Sequence, residues 1–203
     1  MAHDEFLALL AFSLIGSFTP GPNTIVASAT GATFGLRATL PHVFGVPLGL
    51  ATMLLAAAAG VAGLIAAAPG AGAVLHWLGI AYMAWLSIGL ARSHGDAGER
   101  PGGPFGLPLS VLQSALFQYL NPKAWMLALA MTATWLAGPD PWRRELIVMT
   151  VFGLSAAASL VAWGGAGAVL RRWLADGGRR RRLFDLAMAT ALGATTLWLA
   201  WRG

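Results

Sequence analysis

The sequence predicts an all-α polytopic membrane protein of six transmembrane helices, arranged as two inverted three-helix repeats whose first and fourth helices are broken. Three observations predict it. The 203 residues are 57% hydrophobic and 10% charged, with a mean hydropathy of +0.68, too apolar for an ordinary soluble domain. Six runs approach the about 20 mostly apolar residues a spanning helix needs. Two of those runs carry prolines near their centres.

The spans are read at residues 6–28 (broken), 40–67, 73–92, 109–137 (broken), 145–170 and 183–201. The sixth starts close to Asp185, which leaves five spans as the alternative. Residues 95–108, rich in Gly and Pro, form a cytoplasmic linker between a first repeat at 1–94 and a second at 109–203. An odd number of spans per half inverts one half relative to the other, and the broken spans become partners across an axis in the membrane plane.

Charge sets the orientation. Formal net charge is +5 and the pI about 11.1, which in a soluble chain would suggest nucleic acid. Here the arginines lie in short loops between apolar runs, so nucleic-acid binding is not expected. With the N-terminus outside, the inner loops hold Arg37, Arg92, Arg100, Arg171, Arg172 and Arg179 to Arg182, against Arg143, Arg144 and Arg202 outside. Both termini are therefore expected in the periplasm of a bacterial inner membrane. The run Arg179 to Arg182 reads as a topology anchor, with anionic-lipid contact as the alternative. Trp77, Trp142, Trp173 and Trp201 fall near span ends, as interfacial belts do. The N-terminal residues lack a basic signal region, so the first segment is read as a retained span.

The first break is Phe18, Thr19, Pro20, Gly21, Pro22, Asn23, inside an uncharged run from Phe6 to Leu36. A proline in a helix has no N–H to donate and clashes with the carbonyl four residues back, so Pro20 and Pro22 are expected to free the carbonyls of Gly16 and Phe18. Unpaired backbone costs several kcal/mol in hydrocarbon, and is tolerated only against protein or a water-filled cavity. The second break is Gln118, Tyr119, Leu120, Asn121, Pro122, Lys123, where Pro122 is expected to free the carbonyl of Gln118. Two Pro-interrupted spans in corresponding places of two halves point to a transporter's binding site.

Lys123 is the only charge in its run from Pro108 to Gly138, and an intramembrane charge marks a functional site by default. Thr19, Pro20, Gly21, Pro22, Asn23, Gln118, Asn121, Pro122 and Lys123 are the candidate substrate-binding and translocation residues. Asn23 and Asn121 read as helix caps that also face a ligand. Half-helix N-termini with Lys123 suit a carboxylate, and asparagines with freed carbonyls suit an ammonium, so a zwitterionic amino acid fits. No acid falls mid-span, which argues against a cationic substrate. His42 is the remaining candidate proton site; beside a span end it also reads as an interfacial residue. Gly45 and Gly49 have the spacing of close helix packing, and the fifth span's Gly153, Gly164, Gly165 and Gly167 are expected to pack on the broken helices.

The chain has no cysteine, and His3, His42, His76 and His94 are scattered over different segments. No metal site, cofactor or enzymatic activity is expected.

Thr19-Pro20-Gly21-Pro22-Asn23, with Gly31 and Gly35, the stretch from Leu40 to Gly49, Leu78 to Leu86, and Phe117 to Trp125 resemble the lysine-exporter (LysE/RhtB-type) family of amino-acid efflux proteins. The Pro41-His42 pair and Asn121-Pro122-Lys123-Ala124-Trp125 are most similar to the branch of cysteine and O-acetylserine exporters. The resemblance implies export of small neutral amino acids or derivatives by proton antiport, with amino acid, protons and membrane lipids as partners; homo-oligomerisation is left open. It also implies that Pro20, Gly21, Pro22, Asn23, Asn121, Pro122 and Lys123 line or shape the pathway. Many members carry an acid after the glycine corresponding to Gly49; this chain has Leu50, which agrees with neutral substrates. A channel, or an exporter of another small metabolite or ion, is the alternative.

Overall fold

The computed structural model describes residues 1–61, 69–92, 108–175 and 178–202. These are helical almost throughout: α1 (His3–Phe18), α2 (Pro22–Phe34), α3 (Leu36–Ala56) with a π-turn at Ala57–Val61, α4 (Pro69–Arg92), α5 (Val111–Phe117), a 3-10 turn at Gln118–Leu120, α6 (Pro122–Trp135), α7 (Pro141–Ala175) and α8 (Gly178–Arg202). The chain is an all-α polytopic membrane protein. Among the described residues, α3 with its π-turn, α7 and α8 are each long and apolar enough to cross a membrane, and α1 with α2, bent by 54°, qualifies as one broken span. The expected third span falls on α4, and the expected fourth resolves into α5, the 3-10 turn and α6. Most of the linker read at 95–108, and the end of the second span at 62–67, lie outside the described residues.

Local chemistry places each boundary. Asp4 and Glu5 sit in the first turn of α1, where the helix dipole favours negative charge. Pro22 and Pro122 each occupy the first turn of their helices, the one place where a missing N–H costs nothing. The corner between α2 and α3 turns on Gly35, whose φ of 89° lies in the left-handed region. Ser110 caps α5: its Oγ accepts from the Gln113 N–H at 3.2 Å, and Gln113 Oε1 accepts from the Ser110 N–H at 2.9 Å.

α2 and α7 form the most extensive pair, and α3 packs against both α7 and α5. The main core joins Leu9, Ala27, Val46, Met53, Met131, Phe152 and Leu160; a second cluster joins Ile25, Met83, Leu192 and Leu199 across α2, α4 and α8. Glycines set the closest approaches. A Cβ on Gly31 would land on the carbonyl of Gly164, and one on Gly167 would land on the carbonyl of Ser28, so α2 and α7 touch backbone to backbone. Gly165 faces open space and takes no part. The expected packing role of Gly45 and Gly49 is visible against α5, where a Cβ would strike the carbonyls of Val111 and Ala115.

Ion pairs tie the two ends of the bundle. Arg144 on α7 grips the Glu5 carboxylate on α1. At the other end Arg181 binds Asp185 at 3.2 Å and reaches Thr33 on α2 at 2.9 Å. Arg181 is therefore turned inward, while Arg180 stacks over Trp173 at 5.0 Å; the Arg179 to Arg182 run is more than a solvated anchor. Trp77, Trp142, Trp173 and Trp201 are exposed, as the belt reading expects.

Gly49→Val should force α3 from α5, an overpacking penalty of about 1–3 kcal/mol. Thermal unfolding in detergent should show a lowered midpoint, whereas the same change at the open Gly165 should leave it near wild type.

Candidate functional site

At the first break four consecutive carbonyls are met by donors from three other helices. The Ser17 carbonyl accepts from Ser159 Oγ at 2.8 Å, and that of Phe18 from Trp163 Nε1 at 3.4 Å, both on α7. The Thr19 carbonyl accepts from the Lys123 ammonium on α6 at 2.6 Å, and that of Pro20 from Thr195 Oγ1 on α8 at 3.5 Å. Of the two carbonyls expected from the proline positions, Phe18's is thus capped, and the capped stretch extends to both its neighbours and to Pro20. On the far side, Thr24 Oγ1 accepts from the Gly21 N–H at 2.9 Å. Lys123 lies across Gly21, where a Cβ would come within 3.1 Å of its side chain.

The second break differs from expectation. The Gln118 carbonyl is not free: the chain tightens into a 3-10 turn, and the Asn121 N–H takes it at 3.0 Å. The carbonyl left for a side chain is that of Tyr119, which accepts from Trp125 Nε1 at 3.0 Å. Asn121 caps α6 as expected, its Oδ1 accepting from the Lys123 N–H at 3.1 Å.

The breaks are joined directly. Asn23 Nδ2 donates to Gln118 Oε1 at 2.9 Å while Gln118 Nε2 returns a bond to Asn23 Oδ1 at 3.1 Å, and also reaches the Ser114 carbonyl at 2.9 Å. His42 closes the ring, with Nε2 at 3.2 Å from the Asn23 carbonyl and Nδ1 at 2.9 Å from Ser114 Oγ. The carbonyl can only accept, which places the proton of a neutral His42 on Nε2 and leaves Nδ1 to accept from Ser114. His42 and Gln118 are fully buried, which overturns the interfacial reading of His42. α3 starts at Leu36 rather than residue 40, so the ring sits inside the bundle facing α5.

Two cavities share Lys123. The inner one, about 40 Å³, lies between the N-termini of α2 and α6, against Asn23, Asn121, Leu50 and Ser159. The outer one, about 440 Å³, lies between α6 and α8 and is bounded by Thr19, Pro20, Met126, Ala194, Thr195 and Trp198. All nine expected site residues belong to this region, although Gln118 and Pro122 shape it from buried positions. Sequence reasoning missed Ser114, Ser159, Trp163 and Thr195. Glu145 and Asp185, which the sequence places at the starts of the fifth and sixth spans, are buried.

Residues 14–202 match the family model described as LysE type translocator. The chain belongs to the LysE family. It is 30% identical over 179 residues to the cysteine/O-acetylserine efflux protein of Klebsiella pneumoniae, covering 88% of this chain and 85% of that one. The protein of the same description from Escherichia coli K12 is 26% identical over 174 residues, 85% and 87% of the two chains. An uncharacterized membrane protein of Vibrio cholerae is 26% identical over 151 residues, 74% and 72% of the two. No solved structure matches. As a LysE-family translocator the chain is a transporter and not an enzyme. Leu50 is buried and on the wall of the inner cavity.

The Asn23–Gln118 amide pair should behave as one unit. Unfolding of Asn23→Ala, Gln118→Ala and the double variant should show a coupling of about 0.5–3 kcal/mol, the double variant losing less than the sum of the singles.

Proposed function

We propose that this LysE-family protein exports small, neutral amino acids or derivatives, of the cysteine/O-acetylserine kind, from the cytoplasm by proton antiport. The observation that carries the reading is the Lys123 ammonium on the Thr19 carbonyl, where the two broken helices meet. A carboxylate arriving between the N-termini of α2 and α6 finds positive potential and a lysine, and an ammonium finds the carbonyl that Lys123 gives up. The lack of an acid at Leu50 favours a substrate with no net positive charge, and the described relatives are named for neutral substrates.

The packing supports a working unit of two inverted three-helix repeats, and the distribution of arginines supports both termini in the periplasm of a bacterial inner membrane. α1 packs on α7 as α5 packs on α3, while α3 packs on α7 and α4 on α8. Exchanging the two halves maps each of these pairs onto another or onto itself. His42 is the proton site of the scheme. Protonated, both its nitrogens would donate, and Ser114 would have to turn its hydroxyl away, loosening the ring that joins the breaks.

Lys123→Met should abolish counterflow of neutral amino acids in liposomes, at least a hundredfold, with the protein inserted and folded; normal counterflow would remove Lys123 from the site. His42→Gln should separate two activities. Counterflow, which needs no net proton movement, should persist, while export driven by an imposed pH gradient should be lost.

A further inference from the structure

Of the two cavities that meet at Lys123, one has room for an amino acid. The inner cavity, about 40 Å³, has room for a few waters, each needing about 10–15 Å³. The outer, about 440 Å³, falls within the roughly 300–1,000 Å³ of small-molecule sites. Its wall is divided by chemistry. One end holds the Lys123 ammonium, the carbonyls of Thr19 and Pro20, and the Thr195 hydroxyl; the rest is Met126, Leu127, Ala194, Trp198 and Leu199.

We propose that this groove between α6 and α8 is the side-chain subsite of the transport site, and that it takes neutral amino acids whose side chains are extended and apolar. The proposal rests on the transport reading above. A zwitterionic head matches the polar end: its carboxylate draws the Lys123 ammonium off the Thr19 carbonyl, and its own ammonium takes that vacated acceptor. The Pro20 carbonyl, held by Thr195 across a long 3.5 Å, is the second acceptor within the same end. Oriented so, the side chain has one direction with space, along Met126, Ala194 and Trp198. The inner cavity cannot receive it in this conformation, because Asn23, Leu50 and Leu160 close on about 40 Å³. The substrate enters as a displacing ligand at the break, and its side chain is read by α8.

The chain has no cysteine, so Ala194→Cys introduces a single thiol in an otherwise unreactive protein. Ala194 is exposed to the groove, and the change leaves the core untouched. In proteoliposomes, a water-soluble methanethiosulfonate should modify that thiol, and methionine should protect it at a concentration about tenfold lower than glycine. Ala194→Phe, which fills the groove, should reduce methionine counterflow about tenfold relative to that of glycine, since one methylene in an apolar pocket is worth about 10–200-fold. A thiol that the reagent never reaches would assign the groove to a lipid acyl chain and overturn the proposal. A reactive thiol that no amino acid protects, in protein that still exchanges methionine, would overturn it as well. Loss of all amino-acid counterflow in the wild-type protein would instead sink the transport reading on which the proposal rests.

Discussion

An unpaired peptide carbonyl in hydrocarbon costs several kcal/mol, and this chain breaks a helix within its first apolar span. The rest of the bundle is arranged to meet it. Ser159 and Trp163 of α7, Lys123 of α6 and Thr195 of α8 each donate to one of four successive carbonyls, Ser17 to Pro20. The backbone contact of α2 with α7 through Gly31, Gly164 and Gly167 is what brings the α7 donors within reach. A break held by three helices is also one that three helices can release, because each donor is a side chain that can turn to another acceptor.

The polar ring of Asn23, Gln118, Ser114 and His42 gives the break a partner. It binds the start of α2 to the end of α5 through reciprocal amide bonds, which links the two broken helices directly. The ring joins α2, α3 and α5 by hydrogen bonds, and the large groove lies between α6 and α8.

Both breaks and Lys123 were legible in the sequence because each is an anomaly against hydrocarbon: prolines and a charge stand out where only apolar helix is tolerated. The partners were not legible for the converse reason. A serine, threonine or tryptophan within a span is ordinary, and only helix-to-helix register decides that Ser159 or Thr195 meets a carbonyl in another segment. His42 was misjudged for a related cause. Placing the span start at residue 40 set it at an interface, whereas α3 begins at Leu36 and carries His42 into the core. The Gln118 carbonyl was expected to be free from the helix rule alone, and a tighter 3-10 turn satisfied it. Gly45 and Gly49 could be singled out in the sequence because close approach requires a missing side chain, which is itself a sequence feature.

The account depends on one contact, the ammonium of Lys123 on the Thr19 carbonyl, and that contact can be tested by replacing the ammonium. Lys123→Ala removes the donor and leaves the carbonyl in a space that n-propylammonium would fill. Thermal unfolding in detergent should show the variant melting below wild type, as expected when a hydrogen bond from a charged donor, worth about 1.5–3 kcal/mol, is lost. n-Propylammonium should restore its midpoint saturably, tetramethylammonium, which has no N–H, should not, and neither should move the wild type. A variant that melts with the wild type, or one that responds alike to both cations, would contradict the account.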